Sequence, residues 1–228
     1  HLTDEELNNL HKIYITACGS AYYAGQAGKY VIEELARIPV ETDIASELRY
    51  RNPIIDEHTL MIVISQSGET ADTIAALREA KERGAKTLAI CNVVGSTIAR
   101  LADTVLYTWA GPEIAVATTK GYTTQVAVLD LLAVYLARRL GRIDEKEERR
   151  LVNQLRKLPQ QMQRAIDLNP GLEELAAGCY QNREMFFIGR NLDYAVCLES
   201  SLKLKEISYI HSDAFAAGEL KHGPIALI

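Results

Sequence analysis

Six consecutive residues, Thr59 to Ile64 (TLMIVI), carry no charge and no break, and a hydroxyl-rich turn and a helical pattern follow them at once. The run is far too short to cross a bilayer. An apolar strand without alternation has no face to offer water, so both faces need cover. That requirement points to the middle of a mainly parallel sheet with helices on each side, a three-layer α/β/α sandwich.

The neighbouring segments agree with it. Lys12 to Ala17 (KIYITA) reads as a strand, and Tyr22 to Leu35 has Ala24, Ala27, Val31 and Leu35 at helical spacing. Val40 to Ala45, Thr87 to Cys91 and Thr104 to Tyr107 read as further strands. Ala71 to Arg83 reads as a helix that Gly84 ends. Ser96 to Leu101 separates the last two strands, and Thr118 to Gly141 is helical and mostly apolar. The charged run Arg142 to Arg150 reads as a turn and a solvated helix face that continues to Asp167. Asn169-Pro170-Gly171 then breaks the pattern.

After that break the pattern starts again. Met185 to Ile188 leads to Gly189 as KIYITA leads to Gly19, and GELKH at Gly218 to His222 answers SELRY at Ser46 to Tyr50. A period of roughly 170 residues means a duplicated domain rather than a solenoid. Residues 1–141 are therefore expected to form a first domain, 142–170 a helical connection, and 171–228 the start of a second, incomplete copy.

Composition narrows the function. Hydrophobic residues make up 48% and the net charge is −5, ordinary for a globular chain and poor for nucleic-acid binding. No stretch is long enough to span a membrane, and no basic segment followed by an apolar one stands at the start, so no signal peptide is expected. The four cysteines have no metal-binding spacing and read as small buried hydrophobes in a reducing, cytoplasmic setting. Neither a metal nor a cofactor is expected.

Two regions carry chemistry. Ser65-Gln66-Ser67-Gly68-Glu69-Thr70 joins a strand to a helix, where unpaired backbone N–H groups and hydroxyls suit a phosphate. It lacks the lysine of a Walker loop and the pattern of a dinucleotide fingerprint. The plain alternative is a helix capped by Ser67 or Thr70. Ser20, after Gly19, could face the same crevice, and Gly95-Ser96-Thr97 is a weaker candidate of that kind. Thr118 and Thr119 read as caps of the helix they open. In the second region Lys203 and Glu206 share a helix face and can pair. Leu202, Leu204, Ile207 and Ile210 make their surroundings apolar, which raises a carboxylate's pKa and suits a general base. His222 lies in a Lys-His-Gly-Pro turn. A carboxylate that moves a proton and a histidine that opens a ring are what aldose–ketose chemistry on a sugar phosphate needs.

SQSGET resembles the phosphosugar-binding loop of the sugar isomerase (SIS) family. Leu202 to Ile228 (LKLKEISYIHSDAFAAGELKHGPIALI) resembles the isomerase region of the family's glutamine–fructose-6-phosphate aminotransferase branch. ACGSAYYAG at Ala17 to Gly25, DIASELRYR at Asp43 to Arg51, LAICNV at Leu88 to Val93 and EIAVATTKGYTTQ at Glu113 to Gln125 fit the same branch in the same order. The resemblance implies two SIS domains, and conversion of fructose 6-phosphate to glucosamine 6-phosphate with ammonia from a glutaminase domain. It implies that Ser65, Gln66, Ser67 and Thr70 hold phosphate and sugar, Ser20 adds a hydroxyl and Val116 a backbone contact. Glu206 would be the catalytic base, Lys203 would assist near the sugar hydroxyls, and His222 would assist ring opening from the neighbouring subunit of a homodimer. Ala21 stands where many members carry serine. The family's glutaminase domain and its C-terminal tail, whose lysine forms a Schiff base, are not among these residues. The chain is expected to be a piece of a longer enzyme that binds substrate without turning it over. Two other readings are a sugar-phosphate-sensing regulator, which would need a DNA-binding element, and a different SIS enzyme such as a phosphosugar deaminase.

Overall fold

β-Branched and aromatic runs alternate with alanine-rich helical ones from the first residues onward, and the backbone follows that alternation. The structure, a computed structural model, describes residues 2–228. The chain divides into two compact units, the first ending at Ile143 and the second running Asp144–Ile228. In chain order the first unit contains α1 (Asp4–Asn8), β1 (Lys12–Ala17), α2 (Ser20–Ala36), β2 (Val40–Ile44) and α3 (Ala45–Leu48). There follow β3 (Thr59–Ser65), α4 (Ala71–Glu82), β4 (Lys86–Cys91), α5 (Thr97–Leu101), β5 (Thr104–Tyr107) and α6 (Lys120–Arg139).

The five strands pair in parallel in the order β2-β1-β3-β4-β5. All seven residues of β3 are buried, as a strand with cover on both faces must be. Alternate residues sort into two cores. Ile13, Ile15, Leu60, Ile62, Ile64, Leu88 and Ile90 pack with α2 and α6 on one face. Tyr14, Met61, Val63, Ala89 and Cys91 pack with α3, α4 and α5 on the other. From β1 the chain steps outward to β2 and then returns past β1 to β3. The carboxyl ends of β1 and β3 are therefore a topological switch point, where open α/β sheets bind ligands.

Three helices carry too few turns for a periodic signal. α1 and α5 have five residues each and α3 has four. A Thr3–Glu6 capping box marks the first of them.

The second unit contains α7 (Glu145–Ile166), α8 (Asn169–Cys179), β6 (Glu184–Gly189), α9 (Leu192–Ser208) and β7 (His211–Ala216). Two short 3-10 turns, Glu219–His222 and Pro224–Leu227, close it. β6 and β7 pair in parallel, as β1 and β2 do. α2 and α9 each have 17 residues, each enters from a residue near φ 57°, ψ −130°, Gly19 and Asn191, and each ends on a left-handed residue, Arg37 and Tyr209. The two helices thus share their length and the sign of φ at both ends. Its second sheet has two strands.

No helix among the described residues is long and apolar enough to cross a membrane. Of the four free cysteines only Cys91 is buried. Cys18, Cys179 and Cys197 are half-buried, which corrects the expectation of four core residues.

Candidate functional site

The turn after β3 is built by its own hydroxyls. Gly68 N–H donates to Ser65 Oγ at 3.0 Å, and Ser65 Oγ and Thr70 Oγ1 lie 3.0 Å apart. Glu69 N–H donates to Ser67 Oγ at 3.2 Å. Each hydroxyl has one proton to give. Ser67 accepts within the turn, so its proton is free for a ligand. Within the Ser65–Thr70 pair one proton is used and one remains. Thr70 stands at the cap position of α4, yet its side chain makes no cap bond, contrary to the capped-helix alternative. The first N–H groups of a 12-residue helix are left directed at the turn. The arrangement can bind a phosphate through hydroxyl donors, backbone donors and the positive end of the helix dipole together.

Glu69, the one carboxylate of the turn, faces away. Its Oε1 accepts from Thr97 N–H at 2.7 Å, and the bonds from Thr97 hold its carboxyl below the usual range. Ile98 N–H donates to Gly68 carbonyl at 3.0 Å, so the turn is fastened to the start of α5. Ser96 lies buried at this junction, with its Oγ directed at Cys91 Sγ. It is a buttress, which corrects its reading as a second phosphate ligand.

Ser20 opens α2 directly after β1. β1 pairs with β3, so Ser20 and Ser65 stand at the carboxyl ends of adjacent strands. Val116 lies in the segment between β5 and α6 and is 95% exposed. Ser20, Ser65, Gln66, Ser67, Thr70 and Val116 thus all belong to the first unit.

Two residues that sequence motifs contained without explaining organise this end of the sheet. Asn92 donates its N–H to the Gln66 carbonyl at 3.1 Å and its Nδ2 to the Gly111 carbonyl at 2.7 Å. Its Oδ1 accepts from Thr108 Oγ1 at 3.1 Å and Ala110 N–H at 2.9 Å. Glu113 is the second. Its carboxylate accepts from Thr118 Oγ1 at 2.9 Å, and neither Thr118 nor Thr119 caps α6 with its side chain. An asparagine directly after a strand and a carboxylate a few residues before a helix are the signals that could have singled them out. A cleft of about 500 Å³ lies between Gln66, Asn92, Trp109 and Glu113.

In the second unit, Lys203 Nζ forms an ion pair with Glu206 Oε2 and lies 3.6 Å from Glu199 Oε1. Ser201 and Ser212 exchange hydroxyl-to-carbonyl bonds of 2.9 Å, which lock α9 onto β7. Glu206 keeps 30% of its side chain exposed, and Ile207 is exposed as well. The apolar enclosure expected around Glu206 is therefore not formed by these residues. His222 ends the 219–222 turn, exposed, and takes no part in the Lys203–Glu206 pair.

These features define an α/β protein that gathers hydroxyls and an uncapped helix start at the switch point of a parallel sheet. The chain belongs to the SIS domain family, whose model matches residues 6–135 and 179–228. It is 60% identical over 227 residues to the glutamine–fructose-6-phosphate aminotransferase [isomerizing] of Clostridium tetani, covering 100% of this chain and 37% of that protein. The chain therefore spans little more than a third of the length of the relatives it matches. Among solved structures, the C-terminal domain of glucosamine-fructose-6-phosphate aminotransferase from Francisella tularensis superimposes with a TM-score of 0.95 at 38% identity. That match covers 99% of this chain and 64% of that one. Glucosamine-6-phosphate deaminase from Thermotoga maritima, at 24% identity and a TM-score of 0.81 over 98% of this chain and 67% of that one, is a likeness of fold alone.

Proposed function

We propose that this chain is the sugar-phosphate-binding isomerase region of an enzyme that converts fructose 6-phosphate and glutamine-derived ammonia to glucosamine 6-phosphate. One observation carries the reading: the uncapped start of α4 behind a turn whose hydroxyls have protons to spare. In this reading Ser65, Gln66, Ser67 and Thr70 hold the phosphate and sugar, Ser20 adds a hydroxyl, and Val116 a backbone contact. Glu206 is the base that moves a proton between C1 and C2. Lys203 steadies that carboxylate and works near the sugar hydroxyls, and His222 of a neighbouring subunit assists ring opening. The glutaminase domain of the parent chain supplies ammonia. The 60% identity to an aminotransferase over the whole chain supports this assignment. Free thiols fit a cytoplasmic setting.

Calorimetric titration tests the site. Fructose 6-phosphate and glucosamine 6-phosphate are expected to bind well above inorganic phosphate, and NAD not at all. Ser67→Ala is expected to weaken sugar-phosphate binding by about 1–3 kcal/mol, the range for a lost hydrogen bond to a charged group. Unchanged affinity would reduce the turn to a connection between strand and helix.

A homodimer belongs to the same reading, since His222 is to serve a partner's site. The apolar side chains that α6 leaves exposed, Leu131 and Tyr135, support it. Sedimentation equilibrium at micromolar concentration is expected to show a species near twice 25.3 kDa. A purely monomeric species would count against the shared site.

A further inference from the structure

The segment that carries Val116 has little packing to hold it. Ile114 is 92% and Val116 95% exposed, so burial does not fix its path. One backbone bond, from Thr118 N–H to the Val116 carbonyl at 3.0 Å, closes a tight turn. The other restraints converge on a single carboxylate. Glu113 accepts from the Thr118 hydroxyl at 2.9 Å and from Gly121 N–H at 3.3 Å. The Thr118 hydroxyl, with the N–H groups of Gly121, Ala115 and Thr119, holds the Glu113 carboxyl below its ordinary range. The charged form is thus the one that folds the segment. These donors lie on both sides of Val116 and in the first turn of α6.

Gly121 ties this knot to the phosphate turn. A Cβ at Gly121 would stand 2.4 Å from Thr118 Oγ1 and 3.6 Å from Gln66 Cγ. Segment, helix start and phosphate turn therefore meet at one point, and Glu113 also lines the cleft that Gln66 and Asn92 line.

We propose that Glu113 is a positioning residue of the sugar-phosphate site: its carboxylate draws the 113–119 segment onto the start of α6, which meets the turn at Gln66, and so sets the path of the backbone at Val116. This rests on the sugar-phosphate reading above. Glu113 touches no substrate in it. It acts through the segment it folds.

The test uses the full-length enzyme, with fructose 6-phosphate as the probe and Ser67→Ala as the reference. Glu113→Ala is expected to raise Kd and KM for fructose 6-phosphate about tenfold while kcat falls far less, the effect of losing a charge-assisted anchor. Glu113→Gln keeps a carbonyl to accept from Thr118 but loses the charge, and is expected to recover part of the affinity, falling between Glu113→Ala and the parent. Thr118→Val, which removes the donor at constant size, is expected to move Kd in the same direction as Glu113→Ala.

An unchanged Kd in Glu113→Ala, with Ser67→Ala weakened, overturns the proposal and leaves the function reading standing. An unchanged Kd in Ser67→Ala as well overturns the function reading, and the proposal with it. A fall in melting temperature that tracks the loss of affinity across the variants makes Glu113 a plain helix cap and also overturns the proposal. Where Glu113→Ala fails to fold, Thr118→Val decides: an unchanged Kd there overturns it.

Discussion

Gly68→Ala is expected to destabilise the protein by about 3 kcal/mol and to weaken sugar-phosphate binding more than tenfold. Two costs meet at this residue. Gly68 has φ +65°, a left-handed conformation that costs any residue with a Cβ about 1–2 kcal/mol. A Cβ would also stand 2.0 Å from Ser96 Oγ and 2.5 Å from Ser96 Cβ. Rotating the hydroxyl relieves the first contact but not the second, and Ser96 is buried at the start of α5. The turn would have to leave α5, stretching the Ile98–Gly68 and Thr97–Glu69 bonds and moving Ser65, Ser67 and Thr70 with them. Gly141→Ala separates the two costs. Gly141 has φ +66° and nothing within 4 Å of its virtual Cβ. It is expected to lose only the backbone part, by denaturant midpoint, and no affinity by titration. A Gly68→Ala protein no less stable than Gly141→Ala would mean the turn has slack, and its hydroxyl geometry could not then set affinity.

How much of this was legible beforehand follows the range of the interactions. β3 and the 65–70 turn were legible because each is local. An apolar run says it is buried on both faces, and hydroxyls with a glycine say strand-to-helix turn. The switch point needed the sheet order, yet alternation alone had put β1 and β3 in one parallel sheet. The repeat was visible only as scattered likeness, because its clearest marker is backbone conformation. Gly19 and Asn191 share a positive-φ entry to α2 and α9, at ψ −136° and −126°, without sharing a side chain. Asn92, Glu113 and Ser96 were illegible for a different reason. Each acts on chain that folding brings to it: Asn92 on residues 108–111, Ser96 on Gly68. A polar residue at the end of a strand has no visible partner until those loops arrive.

The repeat also separates structural from chemical use of the same element. α2 serves its sheet mainly by packing, with Ala24, Ile32 and Ala36 in the core, and its one candidate ligand is Ser20 at the start. α9 fills the same position in the second copy, yet it buries Glu199 and sets Lys203 between two carboxylates. Charged groups on a core-facing helix cost stability unless they are paired. Ala27 and Val31 stand on α2 where Glu199 and Lys203 stand on α9, while Glu34 stands where Glu206 does, so it is the buried Glu199 with Lys203 beside it that sets α9 apart and argues for chemistry there.

That argument is tested most severely by Glu206→Gln. In the full-length enzyme this substitution is expected to lower kcat for glucosamine 6-phosphate formation by about 10²–10⁴-fold, the usual contribution of a positioned general base. The amide keeps the size of the carboxylate and can still accept from Lys203, but it cannot take a proton from carbon. Fructose 6-phosphate affinity is expected to change little, because the groups proposed to hold the phosphate belong to the other unit. Stability is expected to hold too. Lys203 Nζ retains Glu199 Oε1 at 3.6 Å, so removing one charge does not leave the ammonium without a counter-ion. The separation of effects is the content of the test: turnover lost, binding and melting temperature kept. Retained turnover would remove Glu206 from the chemistry, and Glu199, the second carboxylate on Lys203, would be the next to substitute. Loss of binding together with turnover would mean that the ion pair shapes the sugar site rather than moving the proton. Ser67→Ala must then behave in the opposite way, losing affinity while bound substrate still reacts. The two variants together decide whether holding the phosphate and moving the proton are divided between the two units as the residues suggest.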